Sequence, residues 1–350
     1  MTKKKEQVEQ VVVAYKAFNK DLTCRDFQFE IGKTYEHQGK VEACSSGFHA
    51  CENPMDTWSY YDLTDSRFCA VEMSGEISRH ADDSKIAAAR ITIKAELSLP
   101  QIITDAIQWV MNISKNAEGA ETASGYSSNL AASGKYSKLA ASGYSSNLAA
   151  SGDSSKLAAS GDSSNLAASG DYSNLAASGN YSKLAASGNY SKLAASGNYS
   201  KLAALGYSSN LAASGYSSKL AASGDSSKLA ASGDYSNLAA SGDSSKLAAS
   251  GKYSNLAASG DSSKLAASGD SSKLAASGDS SKLAASGKKS IAVASGLNSQ
   301  ASAGEDGCIA LAWWDEGEER YRMEVAYVGE DGIEPNITYK LDDNHKFVKA

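Results

Sequence analysis

From residue 125 onward, apolar and polar residues alternate in a pattern that restarts every nine positions, G-x-[SY]-S-[KN]-L-A-A-S, with a glycine returning without a slip from Gly125 to Gly296. Numbering each glycine 1, Ser stands at position 4 from Ser128 to Ser299, Leu at position 6 from Leu130 to Leu283, and Ala at position 8 throughout. Positions 4, 6 and 8 share one face of a strand. Position 5 is Lys or Asn, as at Asn129 and Lys138, and faces water; position 7 is a small Ala. The spacing predicts a strand over positions 4 to 8 and a polar corner over 9, 1 and 2, where glycine supplies backbone freedom. An α-helix would place leucines nine apart on opposite sides, and a Gly with several Ser in every nine costs too much helical propensity. A flexible tether needs no such identity.

A fixed period of this length marks a solenoid. Two nine-residue arms close an 18-residue coil with a thin Leu/Ala/Ser core between two flat parallel sheets, and about ten coils at ~4.8 Å each give a rod of roughly 45–50 Å. Each buried Leu contributes about 2 kcal/mol. The interior Ser hydroxyls need partners, for which ladders of Ser on Ser are the expectation. Stacking at 18 residues sets Asp225, Asp243, Asp261 and Asp279 in one acidic column, with Lys228, Lys246, Lys264 and Lys282 in a basic column beside it.

Upstream the pattern changes. Val11 to Phe18, Phe27 to Ile31, Lys33 to His37, Phe68 to Met73 and Ala88 to Leu99 read as strands, and Asn53-Pro54 opens a helix through Met55, Trp58 and Tyr61 with Asn53 as its cap. From Gln101 to Lys115, Ile102, Ile103, Ala106, Ile107, Val110 and Met111 fall at helical spacing; such a helix would cover the open first coil, whose bare edge would otherwise template aggregation. At the far end Ala replaces Leu at position 6 while positions 5 and 7 become Ile291 and Val293, so something apolar must cover that face. Strands at Cys308 to Trp314, Arg322 to Val328, Ile337 to Leu341 and Lys346 to Lys349 supply a cap. The expected fold is thus mainly β: a parallel β-solenoid (125–304) with an α+β N-terminal domain (1–100), a capping helix and linker (101–124) and a small β C-terminal cap (305–350).

Charge narrows the functional classes. The net charge is −6, but the repeat block has 15 Lys, no Arg and nine Asp, a balance of +6, while the flanking parts are acidic. The rod therefore lacks the dense negative surface of a DNA mimic, and the absence of Arg speaks against sequence-specific reading of nucleic acid. Five cysteines, an odd number, follow a Lys- and Glu-rich start with no apolar leader and no membrane-length run, the pattern of a cytoplasmic protein with reduced thiols. Cys44, His49 and Cys51 have the spacing C-x4-H-x-C, which lacks a paired knuckle and reads as structural rather than as a zinc site. No metal or cofactor is expected. Within the repeats the informative exceptions are Tyr172, Tyr181, Tyr190 and Tyr199 at position 3 of consecutive repeats, and Leu205 where Ser is the rule; tyrosine is enriched at interfaces.

Tyr15-Lys16-Ala17-Phe18, Phe27 to Glu36 and Gly47-Phe48-His49-Ala50-Cys51-Glu52-Asn53-Pro54 resemble an uncharacterised domain of phage and prophage proteins that precedes Ser/Ala/Gly nonapeptide repeats and a tail strand like Leu311-Ala312-Trp313-Trp314-Asp315. The resemblance implies a phage origin and brings no activity. Ser290 to Leu311 is similar to the left-handed β-roll repeats of trimeric adhesin heads, which bears on fold. A fainter likeness, through Tyr15-Lys16-Ala17, Gly47 to Ala50, Glu72 and Glu76, is to ADP-ribosyltransferases, whose first-strand basic residue, hydroxyl-bearing strand and late Glu hold the dinucleotide; Lys16 and His49-Ala50-Cys51 depart from that pattern. The expected function is that of a phage-encoded, non-enzymatic binding protein that engages or sequesters a host protein, with a defence system as the candidate target, in the host cytosol. The candidate contact residues are His49, Glu72, Leu205 and the four tyrosines. The alternative is a degenerate transferase-like enzyme with the solenoid as spacer or oligomerisation platform. Self-association through the solenoid face or the cap is a further expectation; nucleic acid and membrane are not expected partners.

Overall fold

The computed structural model describes residues 11–61, 66–79, 84–98, 101–102, 105, 109 and 120–350. The chain divides into two compact units, Met1–Trp109 and Val110–Ala350.

In the first unit, alternating apolar residues produce antiparallel strands at Val12–Asn19 (β1), Thr34–Glu36 (β2), Phe48–Cys51 (β3), Ser66–Arg79 (β4) and Lys85–Glu96 (β5). β4 pairs with β1 from Val12↔Met73 to Asn19↔Ser66 on one side and with β5 on the other. β3 pairs with both β5 (Phe48↔Ala88) and β1 (Tyr15↔Cys51), so β1, β4, β5 and β3 close a ring, and β2 lies on β5 through Thr34↔Thr92. Register shifts at Ala70/Val71 and Ser74/Ile77 bend the long β4–β5 ribbon. Inside are Ala14, Phe18, Phe29, Val71, Met73, Ile91 and Ile93. The helix expected after Asn53 is a single 3-10 stretch, Pro54–Ser59: Asp56 N–H reaches back to the Asn53 carbonyl at 3.1 Å and Thr57 donates its hydroxyl to the Pro54 carbonyl at 2.6 Å, bonds that tighten the turn instead of propagating it. The expected strand at Phe27 to Ile31 shrinks to Phe27–Gln28, paired with Thr23–Cys24. Of the Gln101 to Lys115 helix, Gln101, Ile102, Asp105 and Trp109 are helical; its remainder and the covering role given to it lie outside the described residues.

The second unit is the solenoid. Successive repeats fall in alternate sheets, and each strand pairs in parallel with the one 18 residues on, Leu139↔Leu157 in one sheet and Leu148↔Leu166 in the other. The acidic and basic columns are real: Lys228, Lys246, Lys264 and Lys282 pair in register, and Asp279 N–H donates to Asp261 Oδ1 at 2.8 Å. The carboxylate or amide at position 2 therefore bonds the next coil, as Asn180 Oδ1 also does to Asn198 N–H at 2.9 Å, and this gives Asp and Asn their place in the corner.

Two expectations about the corner need correction. The glycines from Gly134 to Gly296 do not adopt positive φ; the left-handed residue is position 3, as at Tyr172 (φ 56°), Ser208 (φ 53°) and Asn298 (φ 55°). Glycine is required because the coils approach closely: a methyl at Gly197 would overlap the backbone of Gly179 and Asn180 one coil earlier. The interior Ser residues do not form ladders along most of the rod. Each bonds within its own turn, as Ser200 does to the Gly197 carbonyl at 2.7 Å, because that carbonyl is nearer than the next Ser, ~4.8 Å away along the stack. Near the end Ser290 and Ser299 hydroxyls accept from Ser272 and Ser281 N–H, at 3.2 and 3.1 Å.

The C-terminal segment extends both sheets. Ile291–Ala294 (β6) pairs in parallel with Cys308–Asp315 (β8), onto which Arg320–Tyr327 (β9) folds antiparallel from Cys308↔Tyr327 to Asp315↔Arg320. In the other sheet Gln300–Ala303 (β7) pairs with Tyr339–Leu341 (β10), flanked by Phe347–Lys349 (β11). Ile309, Leu311, Ile333 and Tyr339 continue the Leu/Ala core where Ala292 and Ala301 replace Leu. Because β8 and β9 lie beside β6 in the same sheet, they do not cover its outer face as expected, and Ile291 stays 37% exposed.

Candidate functional site

The ring of strands in the first unit has a cavity of about 500 Å³ lined by Lys16, Cys24, Arg25, Phe27, Phe48, His49 and Lys85, among others. Alternation along β1 puts Lys16 on the face of Ala14 and Phe18, so its amine is carried inside and only 8% of the residue is exposed. Lys16 Nζ donates to the His49 carbonyl at 3.0 Å, contacts Cys24 Sγ at 3.5 Å and lies 5.3 Å from the Phe18 ring centre. Burial drives its pKa below the ordinary lysine value, against the opposing pull of the Cys24 and Cys51 thiols. Tyr61 donates its hydroxyl to Cys24 Sγ at 2.8 Å, and burial, then that bond, raises its phenol. Tyr15 is raised to about 12 by burial and by Asp105. His49 Nε2 is buried with no hydrogen-bond partner among the described residues; burial, then the charges of Lys16 and Lys85, lower the imidazole's pKa below its usual value. Phe27, Phe29, Tyr35 and Phe48 pack edge-to-face or tilted, with Phe27 and Phe29 centroids 4.7 Å apart, and Lys85 Nζ sits 4.6 Å from the Tyr60 ring centre. Three cations, one orphan imidazole nitrogen and several ring surfaces therefore converge, and no described lining residue is a carboxylate.

The buried lysine makes a pH prediction with a definite sign. Where the folded pKa lies below the unfolded one, the unfolded chain binds more protons, so stability rises with pH and falls again as pH drops through the folded value. Lys16→Met removes that term. The difference in melting temperature between Lys16→Met and the unmodified protein should shrink as pH rises toward the unfolded lysine value of 10.5, read by calorimetry; a difference constant with pH up to that value would show that the amine is not desolvated.

The structure brings His49 into this cavity and leaves Glu72 out: Glu72 pairs with Lys94 at 3.1 Å and is absent from the lining. Glu76 is exposed. Cys44 is exposed and Cys51 buried, and among the described residues no three His, Cys, Asp or Glu are placed to hold a metal. Lys16, Cys24 and Arg25 were not singled out by sequence as contact residues; the period-two position of Lys16 between Ala14 and Phe18 was the available signal.

On the solenoid the four tyrosines do not form one strip. Consecutive repeats lie in opposite sheets, so Tyr172 stacks on Tyr190 (5.0 Å, 7°) along one corner and Tyr181 on Tyr199 (5.2 Å, 6°) along the other. The second stack continues through Tyr216 and Tyr235 to Tyr253, because Tyr at position 2 of one coil meets Tyr at position 3 of the next. Near-parallel stacking uses the ring faces on each other and leaves edges and hydroxyls outward, which suits corner packing better than stacking on a ligand. Leu205 is 67% exposed in a shallow trough along the alanine column of one sheet.

Fold and cavity together define a β-solenoid protein that carries an antiparallel-sheet domain at its N-terminus. Residues 12–105 match the family described as Domain of unknown function (DUF7666). No curated protein and no solved structure matches the chain. Among the described residues no helix is long and apolar enough to cross a membrane.

Proposed function

We propose that this protein is a non-enzymatic binding protein whose specificity resides in the N-terminal cavity, and that the cavity takes a small anionic molecule carrying a flat ring. The observation that supports it is the pairing of Lys16, Arg25 and Lys85 with Phe27, Phe48 and Tyr60 around about 500 Å³, a volume usual for small-molecule sites. The orphan His49 Nε2 adds one directional polar contact. Glu72 and Glu76 lie outside the cavity, so the transferase-like alternative gains no support from the geometry. In the phage setting that the sequence resemblance implies, such a protein withholds its ligand, or a host factor bearing it, while the solenoid acts as a rigid spacer. The test is titration of the full chain with the anionic aromatic dye 1-anilinonaphthalene-8-sulfonate. Arg25→Glu combined with Lys85→Glu should weaken binding at least about tenfold, the loss of a charged contact worth ~1.4 kcal/mol or more, with the fold retained by circular dichroism. Affinity indifferent to both charge reversals would refute the proposal.

A further inference from the structure

Among the described residues, β9 is the terminal strand of its sheet, paired with β8 on one side. Val328 N–H donates to the Gly307 carbonyl at 2.9 Å, which fixes the phase of the β8–β9 ladder. Because antiparallel bonds fall on alternate pairs, the even-numbered residues of β9 bond to β8, while Tyr321, Met323 and Val325 turn their N–H and carbonyl groups to the open edge. These residues also carry exposed apolar side chains, at 59%, 43% and 52%. Between them Arg322 is held by Asp315 and Glu318, and Glu324 accepts from Trp313 Nε1 at 3.3 Å. Eight residues of open edge with an apolar row form a template for another strand.

The geometry points to a second copy of this chain as the occupant of that edge, with the two β9 strands antiparallel about a twofold axis at Met323. Outward-bonding residues must face one another, so odd numbers pair with odd. With Met323 opposite itself, Tyr321 meets Val325 of the second copy, an aromatic and β-branched pair, and Arg322 meets Glu324 of the second copy, twice by symmetry. Moving the axis by one residue in either direction sets Arg322 against Arg322 or Glu324 against Glu324 at the non-bonded positions, where side chains are closest. Of these three registers, the one centred on Met323 alone has two opposite-charge pairs and no like-charge pair. The contact uses the same surface on both molecules and closes as a dimer. In it, the sheet that contains Ile291 and Val293 runs on without interruption into that of the second copy.

The test is sedimentation velocity on the full chain across the micromolar range, where a dimer is expected. Met323→Pro should give a monomer with unchanged circular dichroism, since the N–H it removes points to the open edge and β8 keeps its ladder. Glu324→Lys and Arg322→Glu should each be monomeric alone, because each faces like charges across the axis. Mixed, they should form a heterodimer with both charge pairs restored, which also shows that each variant folds. A wild-type monomer at every concentration, an assembly larger than a dimer, a dimer that survives Met323→Pro, or a mixture that stays monomeric would each overturn the inference.

Discussion

Gly197→Ala is expected to destabilise the solenoid by about 3 kcal/mol or more, whereas Ser208→Gly, two positions into the next corner, should leave it unchanged or stabilise it by up to ~1 kcal/mol. The contrast runs against the usual reading of glycine in a turn. At Gly197 the new methyl meets the backbone of Gly179 and Asn180. No rotamer change relieves that overlap, so the coils must separate and the flanking inter-coil bonds, such as Tyr181 N–H to the Asn198 carbonyl at 2.8 Å, must lengthen. At Ser208 the backbone is already left-handed, with φ 53°. A side chain there costs ~1–2 kcal/mol, which glycine would remove, offset in part by the greater entropy of a glycine in the unfolded chain. Denaturant midpoints followed by circular dichroism decide it; equal effects from the two substitutions would mean that the corner conformation is wrong.

Leu211→Ala should cost ~2–5 kcal/mol. Leu211 is fully buried and stands between Leu193 and Leu229 in the same column. The core between the sheets is only one Leu and one Ala deep per strand, so little can collapse into the space. In a linear array each coil is stabilised chiefly by its neighbours, and a lesion at mid-rod weakens two interfaces. Leu130, at the first full repeat, is only partly buried, so Leu130→Ala should cost less than half as much. Equal losses at the two sites would argue that the rod unfolds as one cooperative block with a uniform core.

The solenoid was legible because its determinants are translational: identical residues at positions 4, 6 and 8 must share a face, and the 18-residue pairing follows from closing two arms. The role of the glycine was not legible, since the atoms that exclude a side chain belong to a residue 18 positions earlier. Nothing in Ser or Tyr at position 3 announces a left-handed backbone. The split of the tyrosines follows from the same cause, for a nine-residue period in sequence is half a period in space. In the N-terminal domain the strands at Val12–Asn19 and Lys85–Glu96 could be read from alternation, but ring closure rests on β3 pairing with both β1 and β5, a long-range choice that no local pattern encodes. Lys16 was visible as an oddity; its burial beside Cys24 and His49 depends on that closure.

The alternation of repeats between two sheets also constrains how the rod can change length. The inner face is the same in every repeat, so gaining or losing one nonapeptide leaves the core intact. Such an event is odd in parity: every later residue passes to the opposite sheet, and the stacks of Tyr, Asp and Lys on either side of the junction no longer continue one another. The open strand Arg320–Tyr327 would likewise leave by the other face of the first coils. Additions of 18 residues preserve all of these alignments, so chains of this design that differ in length should differ by even numbers of repeats wherever the surface columns and the terminal strand matter, and by any number where only the core does.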